Sequence, residues 1–425
     1  MNPELHPAVG PKRDPYAALR YRDFRLLWLG SFAGNLGAQM AGVAIGWELY
    51  ERTHSELALG LVGLVQVLPV IVLSLPAGQL SDLYNRKGIV LASEALLGAC
   101  GLGLALLSYR SGALLLIYSL LGLIGVARAF SEPASSALLP GTVPVEAFGS
   151  AATWSSSAWQ FAAVFGPAVS GLLIALFHVA WPVFLVSALG SSVYFLLVLQ
   201  VKGRPLALSK ERASAKMLLE GVAFIRRTQI ILATITLDLF AVLLGGAVTL
   251  LPVYAKDILA VGPTGLGLLQ AAPSIGALLM GLGLAHAPPF RRAGLTLLLA
   301  VAGFGAATIV FGLSTAFGLS LLMLAVLGAL DNISVVIRNS LVLMRTPDEM
   351  RGRISAVNNI FIGASNQLGG FESGLTAQLF GPGWSVVGGG IGTIIVVLIV
   401  AVAWPEVRRL KRLSADEGEE TPNKS

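Results

Sequence analysis

Apolar runs of roughly 20 residues, separated by short polar breaks, recur along almost the whole chain. Divided where charges or turn residues interrupt them, they fall near 25–49, 57–80, 88–108, 113–135, 150–177 and 180–201. After a long polar connection they resume near 230–254, 264–286, 293–313, 316–338, 354–380 and 384–404. A helix rises ~1.5 Å per residue, so about 20 residues cross the ~30 Å hydrocarbon core of a bilayer. The pattern predicts an all-α polytopic membrane protein with twelve transmembrane helices. The connection 202–229 sets Met217, Leu218, Val222 and Phe224 among basic residues, which predicts an amphipathic helix lying at the membrane surface. This divides the chain into a tail at 1–24, a bundle at 25–201, the linker, a bundle at 230–404 and a tail at 405–425.

Charge fixes the expected orientation. Only 12% of the 425 residues are Asp, Glu, Lys or Arg, about half the ~25% of a soluble domain. If the first residue is cytoplasmic, every Lys and Arg falls in the tails and inner loops except Arg52, Arg110 and Lys256 outside and Arg128 and Arg338 within spans. That bias is the positive-inside rule, with both termini cytoplasmic. The sequence pI of about 9.5 then reports topology, and no nucleic-acid partner is needed to explain it. The polar, basic first 24 residues contain no cleavable signal, so the first span is expected to direct insertion uncleaved. One cysteine, Cys100, and four scattered histidines give no disulfide framework and no metal-ligand spacing. No nucleophile or paired-carboxylate constellation points to an enzyme, and no GxxxxGK[ST] loop to ATP.

The two halves repeat. GVARAFSEPASSALLPGTVPVEAFGSA, from Gly125, lies without gaps against GALDNISVVIRNSLVLMRTPDEMRGRI, from Gly328. Pro144 pairs with Pro347, Glu146 with Glu349, Gly149 with Gly352, Gly166 with Gly369 and Gly171 with Gly374. GLVQVLPV at 63–70 likewise matches GLLQAAPS at 267–274. Corresponding spans run the same way, so the repeat is parallel about an axis along the membrane normal.

On these features the chain resembles the major facilitator superfamily along essentially its whole length. GQLSDLYNRKGIV resembles the G-x-L-x-D-R-x-G-R-K signature at Gly78, Leu80, Asp82, Arg86 and Lys87, with Leu83 and Asn85 replacing the usual Arg and Gly. AAVFGPAVSG in the fifth span resembles the G-P-x-x-x-G motif of drug–proton antiporters, placing Gly166, Pro167 and Gly171 at a helix-packing site and kink. ARAFSEPASSALLPGTVP, LLPVYAKDILAVGPTGLGLLQAAPSIGAL and EGVAFIRR resemble the branch that includes the enterobactin exporter and macrolide efflux proteins. The resemblance implies two pseudo-symmetric six-helix bundles around a central cavity lined by the first, fourth, seventh and tenth spans. It also implies a bacterial inner-membrane monomer with no cofactor, driven by the proton gradient, exporting an amphipathic siderophore or drug-like molecule. Uptake or facilitated diffusion, and a non-transporting sensor that kept the fold, remain the alternatives.

Polar groups within spans are costly and mark function or helix–helix bonding. Asn35, Gln39, Gln66, Gln160 and Asp238 fall near mid-span. They are expected to contact substrate or bond between helices, with Asp238 the candidate for proton coupling. Arg128 and Glu132 share a face of the fourth span. The repeat sets Arg128 opposite Asp331, which suggests a latch between halves: Arg128 on Asp331 when the cavity faces outward, and on Glu132 when the inner mouth opens. Asp82, Arg86 and Lys87 complete the expected gate. Glu94 is expected to be peripheral, Glu372 to sit at the outer rim, and Arg338, Arg345, Arg351 and Arg353 to set topology.

Overall fold

A computed structural model describes residues 14–202, 215–288, 290–347 and 350–410, and these are helical with no strand among them. The first half comprises α1 (Arg22–Thr53), α2 (Glu56–Leu83), α3 (Arg86–Tyr109), α4 (Leu114–Leu138), α5 (Phe148–Phe177) and α6 (Trp181–Gln200). The connection carries α7 (Ala215–Arg227). In the second half α8 (Gln229–Leu244) and α9 (Leu251–Val253) belong to one span. They are followed by α10 (Gly262–His286), α11 (Ala293–Leu313), α12 (Phe317–Arg345), α13 (Arg351–Phe380), α14 (Pro382–Ala403) and the short α15 (Pro405–Arg409).

Among the described residues, ten stretches are long and apolar enough to cross a membrane on length and composition alone. The remaining two spans, α1 and α13, have matching lengths but are diluted by Asn35 and Gln39 and by Asn366, Gln367 and Glu372. Short reversals set the up-and-down course. His54 ends α1 in the left-handed region (φ 47°), and the Ser55 side chain accepts from the Ala58 N–H to start α2. Asn85 caps α3 through the Lys87 N–H.

The seventh span is not the unbroken helix that its hydropathy predicts. At Gly245 and Gly246 the α-helix stops and gives way to a 3-10 turn (Ala247–Leu250), α9 and a π-helical turn (Tyr254–Ile258). The cause is close approach: a Cβ on Gly246 would lie 2.6 Å from the Gly369 carbonyl and 2.5 Å from Ser373 Oγ of α13. Two glycines and Pro252 permit the break.

The packing repeats between halves. In the first half α1 packs on α5 and α6, α2 on α4, and α3 on α4 and α6. In the second, α8 packs on α13 and α14, α10 on α12, and α11 on α12 and α14. Numbered as spans, these are the same five pairings shifted by six. Across the halves α2 meets α13 and α5 meets α10, and the same shift exchanges these two contacts. Two pseudo-symmetric six-helix bundles result.

The N-terminal end of α1, the C-terminal end of α14 and α7 share one face of the molecule, the linker face. There Lys87 Nζ donates to the carbonyls of Leu199 and Val201, and Trp404 Nε1 donates to Gln229 Oε1. The opposite face is the far face. A single apolar core joins both halves toward the far face, including Leu49, Tyr50, Leu121, Ile174, Leu251, Leu266 and Ala377. Toward the linker face the core divides: one cluster forms around Val90, Leu138 and Val198, another around Ile231, Ile337 and Val400. The apolar side of α7, with Val222, Phe224 and Ile225, packs into the second of these. That face of the helix covers protein; the side chains of Met217 and Leu218 lie outside the described residues.

Candidate functional site

Within the first half a cavity of about 820 Å³ runs from Phe24, Leu27 and Leu139 to Ile45 and Leu104, within the ~300–1,000 Å³ range of small-molecule sites. Its walls come from α1 to α6, with Gln367 of α13 contributed by the second half. Asn35 and Gln39 reach it from α1 because their spacing keeps them on one face, and Gln66 reaches it from α2. Phe24, Trp28, Trp159 and Tyr194 supply aromatic faces. Arg128, Glu132 and Glu94 supply charge.

The far end of the space is shut by contacts between halves. Gly171 of α5 meets Gly267 of α10, and Gly374 of α13 meets Gly60 of α2. A Cβ on Gly374 would sit 2.7 Å from both the Gly60 Cα and the Glu56 carbonyl, so this approach needs glycine. The Gln367 carbonyl lies against Gly63, so the residue that lines the cavity is also where the seal begins. Nearer the far face, Tyr50 hydrogen-bonds to Asp257, Lys256 Nζ pairs with Glu51 at 2.7 Å, and Ser55 Oγ donates to Gln378 Oε1 at 2.9 Å. Arg52 is tied to Glu48 and to the carbonyls of Leu107, Ser108 and Gly112. Two of the three basic residues that broke the inside bias, Arg52 and Lys256, are therefore locally neutralised. The contacts between halves thus gather toward the far face, while the cavity lining reaches Phe24, Trp28 and Leu139 near the linker face.

Several expectations change. Asp238 does not line the cavity. It is 7% exposed and forms an ion pair with Arg338 of α12, itself 2% exposed. Arg338 is thus an interior partner, not a topology determinant, because two helix turns of protein separate it from the linker-face end of α12. Gln160 is half-buried on α5 and is absent from the cavity wall. Glu94 is an interior residue, 4% exposed, accepting from Ser131 Oγ at 3.1 Å. Arg128 makes no ion pair with Glu132. Its Nη1 donates to Gln66 Oε1 at 3.5 Å, because the guanidinium turns toward α2 while Glu132 stays exposed at the mouth. Arg128 and Asp331 form no ion pair in this conformation.

Other predicted residues hold the bundles together. Arg86 donates to the carbonyls of Ser81 and Ala137, and Lys87 to those of Leu199 and Val201, so both cations cap carbonyl-rich helix ends within the first half. The Asp82 side chain lies outside the described residues. Gly166 packs against Leu36 and Gln39 of α1, whereas the Pro167 carbonyl and Gly171 meet α10 across the halves. The motif therefore serves one contact within a bundle and one between bundles. The Glu372 side chain accepts from Ser373 Oγ toward the far face. Glu94, Arg338 and the far-face pairs were missed as site residues. For Glu94 the available signal was a lone carboxylate within an apolar run, the same feature that drew attention to Asp238.

Known proteins share this arrangement. Residues 13–422 match the family described as transmembrane secretion effector. The chain is 26% identical over 390 residues to the enterobactin exporter EntS of Shigella boydii serotype 18, covering 92% of this chain and 93% of that one. The same identity and coverage hold for the enterobactin exporter EntS of Escherichia coli O81. Among solved structures, a POT family transporter in complex with 5-aminolevulinic acid superposes with a TM-score of 0.73 at 14% identity, over 91% of this chain and 97% of that one. A D-xylose–proton symporter superposes with a TM-score of 0.70 at 14% identity, over 91% and 98%. With two parallel six-helix bundles and a family match along nearly its full length, the chain belongs to the transmembrane secretion effector family and is a transporter of the major facilitator type.

Proposed function

We propose that the protein is a proton-coupled exporter that carries an amphipathic small molecule out of the cytoplasm by alternating access. One observation carries the reading: the cavity lining reaches the linker-face ends of α1 and α4 at Phe24, Trp28 and Leu139, while contacts between the halves gather at the far face. The linker face is also where the Lys and Arg residues concentrate, which supports a cytoplasmic position for it in a bacterial inner membrane. Cargo would load from the cytoplasm, with Asn35, Gln39 and Gln66 offering hydrogen bonds and Trp28 and Trp159 apolar faces. Rocking of the halves about the α2–α13 and α5–α10 contacts would then close the inner mouth and part the far-face pairs. In the closed-mouth state Arg128 of α4 would meet Asp331 of α12, as their repeat-related positions suggest. The enterobactin exporters among its relatives support the direction and make a siderophore the first cargo to try. The fold operates as a monomer on this reading.

Everted membrane vesicles test it. Labelled enterobactin and a panel of amphipathic drugs are offered with and without an acid interior. Accumulation that requires the gradient and collapses with a protonophore is expected. Equilibration indifferent to the gradient would make the protein a facilitator, and no movement of any cargo, with binding retained, would make it a sensor.

A further inference from the structure

The second half buries two carboxylates beside one guanidinium. Asp238 of α8 and Arg338 of α12 are paired and almost fully buried. Asp331 lies two helix turns ahead of Arg338 on α12, half-buried, near enough to both charges to feel them, yet in no ion pair. No other element packed on α12 brings charge to this depth. α11 has no charged residue, and α10 has only His286 at its linker-face end. On α13, Glu372 lies toward the far face, and Arg351 and Arg353 begin the helix. On α12 itself Arg345 is at the linker-face end. In the first half the cavity wall presents Glu94, Glu132 and Arg128, whose guanidinium donates to neutral Gln66.

We propose that Asp331 both latches the inner mouth and carries the coupling proton: ionised it holds Arg128 shut, and protonated it lets go. The inference rests on the transport reading and adds which carboxylate couples. Asp238 is unsuited to the task, because protonating it would strand the buried Arg338 cation. Asp331 has no resident partner to strand. With the cavity facing outward, a proton from external water moves onto the Asp331 carboxylate and displaces the Arg128 N–H···O contacts. The mouth then opens inward and the same proton leaves to the cytoplasm. A charged carboxylate sealed off from water needs a counter-ion, and Arg128 is the cation that the internal repeat sets opposite Asp331 in the other half.

The test needs no cargo. With Cys100 replaced by Ala, spin labels are placed at Tyr84 and His286 on the linker face, and in a second protein at Leu115 and Trp384 on the far face. Distances are read in lipid nanodiscs at about pH 5.5 and about pH 8.5, a window that keeps Lys and Arg charged. The wild type is expected to be mouth-open at the acid end and to shift by about tenfold or more in its open-to-closed ratio at the alkaline end. Asp331→Asn and Arg128→Gln should each stay open throughout. The exchange Arg128→Asp with Asp331→Arg should restore the pH response, a rescue that a merely structural role would not give. Asp238→Leu with Arg338→Met should keep the response. A wild-type pH response surviving in Asp331→Asn, or lost in that buried-pair double variant, overturns the proposal. If the response is as expected but vesicles show no gradient-driven transport, the exporter reading fails and the latch stands.

Discussion

Replacing Asp238 by Asn leaves the Arg338 guanidinium, 2% exposed, without its counter-ion inside the membrane. Two unit charges ~4 Å apart interact by about 4 kcal/mol at an effective dielectric near 20. Truncating one partner of a buried pair typically costs ~3–5 kcal/mol, mostly because the other charge is stranded. The two routes agree on about 4 kcal/mol, close to three powers of ten in the folded-to-unfolded ratio. Replacing both partners with residues of similar volume, Asp238→Leu with Arg338→Met, removes the charge as well as the bond and is expected to lie within about 1 kcal/mol of the wild type or above it. Reversible unfolding in mixed detergent micelles, followed by tryptophan fluorescence, compares the wild type with the single and the double variant. A single variant losing less than about 1 kcal/mol, or a double variant as unstable as the single, would refute the argument that the pair is buried and mutually dependent.

Further outcomes follow from the seal. Tyr50→Phe removes the hydroxyl bonded to Asp257, a charged acceptor, and should bias the molecule toward far-face opening by about 1.5–3 kcal/mol, seen as a longer Leu115–Trp384 label distance. Lys256→Gln removes an ion pair whose Glu51 partner is 52% exposed, so its effect on the same distance should correspond to about 1 kcal/mol or less and fade in high salt. Gly374→Val wedges a side chain against Gly60 and the Glu56 carbonyl, so the far face should fail to close while the protein still folds. Gradient-driven transport would fall with it, and a wild-type label distance would contradict the contact. Lys87→Met should loosen the α6 end at Leu199 and Val201, lowering thermal stability without changing the label distances, since its bonds lie within one bundle.

Much of this molecule was legible in the chain. Run lengths set the number of spans, because in hydrocarbon every backbone N–H and C=O must be bonded within the segment and a helix of about 20 residues does that. Lys and Arg positions gave a topology, since charge resists crossing. The repeat gave the pseudo-symmetry, while the pairing of spans was seen only in the structure. Asn35, Gln39 and Gln66 were placed toward a cavity by depth and spacing, and they line one.

Partnership among the charges was a different matter. Depth along a helix is readable from residue number, but rotation about its axis is set by the neighbours it packs against. Asp238 therefore turned to Arg338 instead of the cavity, Arg128 to Gln66 instead of Glu132, and Glu94 inward instead of to the periphery. The break at Gly245–Gly246 and the joining of Tyr50 to Asp257, 207 residues apart, likewise arose from close approach between helices. Which side of the molecule is shut was the last of these. It depends on a few contacts between two bundles that carry nearly the same pattern, so the local sequence leaves both sides alike and only the packed whole chooses between them.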